Sequence, residues 1–570
     1  MAVDQAPKFP NDPILVQLLR AAGHVSGTET IVCDVGGFEK TYQQLFADIL
    51  KTRVILRERL PPSAYDARNL LREGQQYIGI LTRTGYEFLV AFFAIRAIGG
   101  VCMPLSSGIL PEEAQFFLSK AKSTCILAGK DRAAKAAKIH AVVAAKGHTP
   151  HFAACTISSD ATPRGDIKVA IDHDIEMSPG GPGLVIFTSG TTGIPKGVVL
   201  PRRCLVPSDN FEPGCAVVTH RPAHWIGGAS AMLHVVLTGK RLHHLGEMAK
   251  PESVLAAFRD HQITHCSFTP TLLRKMRECM TGQARHLSEE KRVEYSRYFS
   301  SLSILRSVSG TVDQSTVRFW TDLTGLPFQN AYGATEMGCS AIESMSTKEG
   351  VIGTPISGVK VKLSEGNHGE IHIKSPGMMI RYLDDEKLTQ AALDEEGYYK
   401  SGDLAELRDG EYVFAGRAST DFVLFRGYRI STLAVENSLM ELPYIAEACA
   451  VGVPHKEALQ LCGAVVRLRR TSVVPPKAIS LTRIRSDLRG KLPQYMLPIV
   501  VRILKDDENF SRTASGKCIK PKVLREYFGT TEWFSVDDLP PGVEYCGSTV
   551  PMIVEAETRP WDWSGIQCAG

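Results

Sequence analysis

The chain has 570 residues, more than one ordinary hydrophobic core accommodates, so several domains or subdomains are expected. With 44% hydrophobic and 22% charged residues it reads as a soluble globular protein, and a net charge of +4 is too small to indicate a nucleic-acid or membrane-surface partner. The 14 cysteines are scattered without a C-x-x-C pair, which speaks against a zinc ribbon or a thioredoxin-like motif and fits a reducing compartment. The first residues, MAVDQAPKFPNDP, hold no apolar signal region, no apolar run reaches membrane-spanning length, and IQCAG is not a peroxisomal address. A cytoplasmic location is therefore expected.

In chain order, residues 77–105 predict strand, helix and strand. Residues 78–81 are short and apolar, 87–98 have helical spacing, Gly99 and Gly100 stop the helix, and 101–103 begin the next strand. A helix over 111–120 and a strand in STCILAG follow. Strands over 183–187, 263–270 and 302–310 continue the alternation, which implies parallel sheets covered by helices. From Val351 the texture changes to short strands with glycine turns, a β-rich subdomain. GRASTD (416–421) reads as a joint. Beyond it a helix (435–442), strands (446–453 and 462–469) and another helix (481–490) form a separate α+β unit of roughly 110 residues. The expected division is 1–416, 417–530 and an irregular tail, 531–570.

FTSGTTGIPKG (187–197) follows a strand. Its glycines let backbone approach a ligand, successive N–H groups can wrap an anion, hydroxyls add donors and Lys196 adds a point charge. This is polyphosphate chemistry, against the alternative of a plain Ser/Thr/Gly surface turn. It is not a P-loop, because Gly197 stands where Ser or Thr should follow the lysine. In NAYGATEMG (330–338), Tyr332 beside Gly333 can stack on a purine and Glu336 can hold Mg2+. In YYKSGDL, Asp403 follows a glycine turn and suits a ribose diol.

At these strings the sequence resembles the adenylate-forming superfamily of acyl-CoA synthetases, peptide-synthetase adenylation domains and luciferases, from about Asp34 to Phe528. The resemblance implies an α/β fold: a large N-terminal domain of parallel sheets with a β-rich subdomain, and a small mobile C-terminal α+β domain. It implies that Thr188, Ser189, Gly190, Thr191, Thr192, Gly193 and Lys196 hold the β- and γ-phosphates of ATP. Tyr332 and Gly333 would pack on adenine with Gly310 as the opposite wall. Thr335 would contact the α-phosphate, and Glu336 with Thr192 would hold Mg2+. Asp403 would bind ribose and Arg417 the ribose and phosphate. Lys517, in RTASGKCIK, would swing in as the acyl-adenylate forms and stabilise charge on the α-phosphate. His224, in PAHWIGG, would stand between the acyl pocket and the pantetheine tunnel. Rotation near Ser419 and Thr420 would then present FRGYRI, with Arg426, Gly427 and Tyr428 lining the path of CoA.

The segment from Gly416 to Glu457 is most similar to the malonyl-CoA synthetase branch. The stretch from Lys196 to His224 is shorter than in relatives, and Arg426 stands where a glycine is common. A short or dicarboxylic acid and a longer acid of a specialised pathway therefore both stay open. Arg241, His243 and His244 are candidates to pair with a second carboxylate. The expected activity is ATP-dependent acid–CoA ligation. Loading of a carrier-protein thiol and a non-catalytic nucleotide-binding regulator are the alternatives. No nucleic-acid partner and no membrane span are expected.

Overall fold

The computed structural model describes residues 6–546 except 75, 124, 146–152, 162, 164, 189–194, 208–209, 248, 283–286, 311, 349, 418–421, 426–427, 456–457, 470–474, 476–477, 490, 493–495, 513–516, 530–533 and 535–538. Two large sheets carry the N-terminal part. The first has seven strands, in the spatial order Arg381–Tyr382, Lys196–Pro201, Pro182–Thr188, Val101–Pro104, Tyr77–Leu81, Cys125–Ala128 and Ala153–Thr156. Its inner strands run parallel, while Lys196–Pro201 turns back antiparallel on Pro182–Thr188. The helix Tyr86–Arg96 is buried along its whole length, as an all-round apolar helix must be. The helix Pro111–Lys120 forms with the bounds its sequence predicts.

The second sheet has thirteen strands and changes character along its width. Val32–Asp34, Arg241–His244, Ala216–Thr219, His265–Phe268, Ile304–Val308 and Phe328–Ala334 pair in parallel. From Cys339–Ser344 onward the pairing is antiparallel, through Val351–Pro355, Glu411–Arg417, Tyr399–Arg408, His368–Lys374 and Lys360–Leu363. The β-rich region expected after Val351 is thus a continuation of the parallel sheet. No helix among the described residues is long and apolar enough to cross a membrane.

A buried ion cluster fixes the base of the 182–201 hairpin. Asp12 caps the helix Pro13–Gly23 by accepting from Ile14 N at 3.1 Å. Its carboxylate also takes Arg96 Nη2 at 2.6 Å and Arg202 Nη1 at 2.7 Å, all three side chains being buried. Arg202 follows the return strand directly, so the cluster ties that strand to two helices. Charged groups this deep persist only when paired.

Residues from Phe422 onward form a third sheet of six strands with its own core, including Tyr444, Val453, Val465 and Phe528. The sequence reading treats everything after 530 as irregular. Val543–Tyr545 instead pairs antiparallel with Val500–Ile503, and Phe534 and Val543 enter this core. A three-residue strand flanked by prolines and glycines carries too little periodicity to be visible in sequence.

Candidate active site

The C-terminal end of the parallel strand Phe328–Ala334 meets the mouth of the 182–201 hairpin through Tyr382, which contacts both Glu336 and Lys196. Thr188 faces Lys196 across the hairpin, with its Oγ1 3.5 Å from Lys196 O. Ser189, Gly190, Thr191, Thr192 and Gly193 lie outside the described residues. Val198 pairs with Tyr382, and residues two apart share a face of a strand. Lys196 Nζ accordingly stands over the Tyr382 ring, 5.5 Å from its centroid. Tyr382 Oη donates to Glu336 Oε1 at 3.0 Å. Burial, and then the Glu336 carboxylate, push the Tyr382 phenol far above its ordinary pKa, so it remains a donor. Lys196 and Glu336 are thereby gathered round one phenol, with Thr335 buried beside Glu336. Sequence reasoning missed Tyr382, an isolated aromatic in IRYLDD.

A second contact joins the same tyrosine motif to the Asp403 turn. Tyr332 Oη donates to Asp403 Oδ2 at 2.7 Å across 71 positions of sequence. The Tyr332 ring leans on Phe414, centroids 6.3 Å apart. Asp403 pairs through its backbone with Arg417, whose side chain is outside the description. A Cβ on Gly333 would lie 1.9 Å from Cys339 O, so only glycine allows the strand to close there. Gly310 follows the strand Ile304–Val308, and Val308 pairs with Ala331, so Gly310 reaches the same rim as Gly333.

His224 stands just before the helix Ile226–Leu237, its ring 5.7 Å from that of Trp225. Burial holds its imidazole below the usual pKa, with the Glu247 carboxylate opposing, so it is neutral at pH 7. Glu247 is itself held by Thr84 Oγ1 at 2.5 Å and Ser107 Oγ at 2.8 Å. Lys517 belongs to the six-stranded unit and directly precedes Cys518, which bridges to Arg512. Tyr428 pairs with Phe425 across a hairpin whose tip residues, Arg426 and Gly427, are outside the described residues, as are Ser419 and Thr420.

The candidates for a second carboxylate divide. Arg241 begins its strand, at the far rim, and is engaged by Thr30 O at 2.9 Å and Glu29 at 3.4 Å. His243 is buried against the His261 ring, 4.4 Å between centroids. Only His244 stands at the C-terminal end of the strand, and its Nε2 has no hydrogen-bond partner among the described residues. A second residue that sequence reasoning missed is Arg221, two positions beyond the end of Ala216–Thr219. It is buried, and among the described residues no carboxylate pairs with it and its Nε has no hydrogen-bond partner. A Cβ on Gly227 would sit 2.7 Å from Arg221 Nη1, so that glycine makes room for the guanidinium. His220, Ser307 and Asn330 add further buried atoms without partners.

Known proteins resemble this chain in sequence and fold. Residues 25–383 match the AMP-binding enzyme family, and residues 434–517 match the AMP-binding enzyme C-terminal domain. The chain is 31% identical over 543 residues to the acyl-CoA ligase oryP of Aspergillus oryzae, covering 91% of this chain and 93% of that protein. It is 26% identical over 489 residues to a malonate–CoA ligase of Arabidopsis thaliana, covering 79% and 77% of the two chains. The ATP-bound structure of MatB from Rhodopseudomonas palustris shares the fold, with a TM-score of 0.71 at 20% identity over 91% of this chain and 99% of that one. The chain belongs to the AMP-binding enzyme family, whose members matched here along most of their length include acid–CoA ligases.

Proposed function

We propose that this crevice adenylates a carboxylic acid with ATP and that the acyl group then passes to CoA, releasing AMP and pyrophosphate. The observation that carries the reading is the convergence of Lys196, Tyr382 and Glu336 at the hairpin mouth beside the Tyr332–Asp403 contact. Three motifs from distant parts of the chain, with Tyr382, are thus joined by direct contacts. Thr188, Lys196 and the 189–193 loop would hold the β- and γ-phosphates. Tyr332, Gly333 and Gly310 would flank adenine, and Asp403 with Arg417 would take the ribose. Thr335 would meet the α-phosphate.

Mg2+ fits the donor set. Glu336 offers a hard carboxylate oxygen, and its Oε2 is not engaged among the described residues. With Thr192, Glu336 would hold the ion, which supplies charge neutralisation at the phosphates. Lys517, carried by residues 417–530 as a mobile unit, would stabilise the charge that gathers on the α-phosphate as the carboxylate oxygen attacks and pyrophosphate leaves. His224, neutral and half-buried, would border the acyl group, and Arg426, Gly427 and Tyr428 would line the approach of the CoA thiol.

The acid in this reading carries a second anionic or strongly polar group. A buried guanidinium without a carboxylate partner is costly, and a ligand carboxylate would satisfy it in bidentate fashion. One of the relatives named above is a malonate–CoA ligase, which fits this charge logic. ATP–pyrophosphate exchange over mono- and dicarboxylic acids tests the reading. Exchange should be supported by one acid class, and Lys517→Ala should lower it about 10²–10³-fold. Exchange with no acid, or undiminished exchange in Lys517→Ala, would contradict it.

A further inference from the structure

At the opposite rim of the second sheet, Glu212, Cys215 and His265 come together. Each offers one metal-ligating atom, and the three atoms lie within 4.8 Å of one another. Glu212 Oε2 is 3.4 Å from His265 Nε2 and 3.9 Å from Cys215 Sγ. Around a tetrahedral zinc with bonds of about 2.0–2.3 Å, ligand atoms stand roughly 3.3–3.8 Å apart. The cluster is thus close to that arrangement without a shift of backbone.

The cluster is assembled from one turn and one neighbouring strand. Glu212 and Cys215 sit on one turn, with Cys215 N donating to Glu212 O at 3.3 Å, and Gly214 at φ +85° supplies its left-handed residue. His265 begins the neighbouring parallel strand and is 13% exposed. The Thr264 hydroxyl donates to Ala216 O at 2.9 Å and accepts from Ala216 N at 2.9 Å, so with its proton committed its second lone pair suits a His265 Nδ1–H at 2.8 Å. That assignment leaves a bare lone pair on Nε2, aimed at a carboxylate oxygen. Two acceptors facing each other at 3.4 Å are bridged either by a proton on Nε2 or by a metal ion, and the Cys215 thiol beside them supplies a third ligand for the second case. Lys240 Nζ does not fill this role. It binds the other oxygen, Oε1, at 2.8 Å, and so orients the carboxylate while leaving Oε2 turned to the cluster.

We infer that Glu212, Cys215 and His265 form a binding site for a borderline-soft divalent transition cation, Zn2+, at the N-terminal rim of the parallel strands. The donor set of one carboxylate oxygen, one imidazole nitrogen and one thiolate suits zinc and disfavours Mg2+, which takes oxygen ligands. Binding releases the Cys215 thiol proton to solvent as the S–Zn bond forms. Glu212 is 40% exposed, which leaves a water-accessible fourth position. The site lies across the strands from the crevice, roughly 15 Å away by strand rise, so its role is to tie the 212–215 turn to two strands. It does not depend on the adenylation reading.

The test uses the full-length protein, stripped with a chelator and titrated with CoCl2, then ZnCl2, in excess Mg2+. One equivalent of cobalt should bind with a thiolate-to-cobalt absorption band, and zinc should displace it. Cys215→Ser should abolish the band and weaken zinc binding about 10–100-fold, with an unchanged near-ultraviolet circular dichroism spectrum. ATP–pyrophosphate exchange should be unaffected by Cys215→Ser. His265→Gln replaces Cys215→Ser if the latter does not fold, and should weaken zinc binding to a similar extent. A band that persists in both variants, or a wild-type chain that takes up no cobalt, overturns the assignment. Loss of exchange in step with loss of cobalt would overturn its placement away from the crevice.

Discussion

Two buried arginine sites in this ligase follow opposite rules. Arg96 and Arg202 converge on Asp12, which also caps a helix, and every carboxylate oxygen there is engaged. Arg221 is equally buried, yet it meets no described carboxylate and lies beside His220, whose ring nitrogens both lack partners. Paired charge at the base of the hairpin holds the fold together. In the proposed reading, a charge with no carboxylate partner among the described residues would hold a place for a ligand at the strand ends, at some cost to the folded state. Burial alone does not separate the two; the presence of a partner does.

That contrast can be broken by mutation. Asp12→Ala leaves two buried cations facing each other and should cost about 3–5 kcal/mol, read as a fall in the denaturation midpoint. A loss under 1 kcal/mol would remove the distinction. Acid should act next. Burial, then Arg221, pulls His220 down to about 4, and burial, then His261, does the same for His243. Their folded pKa values lie below the unfolded value, so the unfolded chain binds more protons as pH falls. Stability should be full above pH 6.5 and decline towards pH 4, by at most on the order of 3 kcal/mol per residue. Urea denaturation across that window checks the sign, and a flat profile would contradict it. In Arg221→Leu the decline should be shallower, because one repulsive neighbour of His220 is gone.

Arg221→Leu then sharpens the contrast most. It should leave the midpoint unchanged or raised, because an unpaired buried charge is replaced by an apolar side chain. It should lower kcat/KM for a dicarboxylic acid by roughly 10–100-fold relative to a monocarboxylic acid of similar length. Destabilisation matching that of Asp12→Ala would make Arg221 structural. The smallest effect is expected for Tyr332→Phe. Removing the hydrogen bond to Asp403, about 1 kcal/mol, should raise the KM for ATP several-fold with little change in kcat.

Much of this was legible in sequence where signal is local. The hairpin string, the tyrosine motif and the Asp403 turn carry dense, ordered residue types, and the helix at 111–120 is marked by a proline at its start and a lysine in its last turn. What was not legible depends on long-range register. Tyr382 matters because Val198 pairs with it across 184 positions, which no local pattern announces. Arg241 looked available for a second carboxylate because sequence does not say which end of its strand faces the crevice. Arg221 escaped notice because its importance lies in the lack of a neighbour, a property that only the packed molecule has. The strand at Val543–Tyr545 is specified by a partner strand more than forty positions upstream rather than by its own three residues.

The most direct test of the account is to incubate the full-length protein with ATP, Mg2+ and a panel of mono- and dicarboxylic acids without CoA, and to follow products by mass spectrometry before and after CoA is added. The account predicts an enzyme-bound acyl-AMP and pyrophosphate from one acid class, converted on CoA addition into acyl-CoA and AMP. Release of ADP and phosphate, or an acid-independent pattern of ATP consumption, would contradict it.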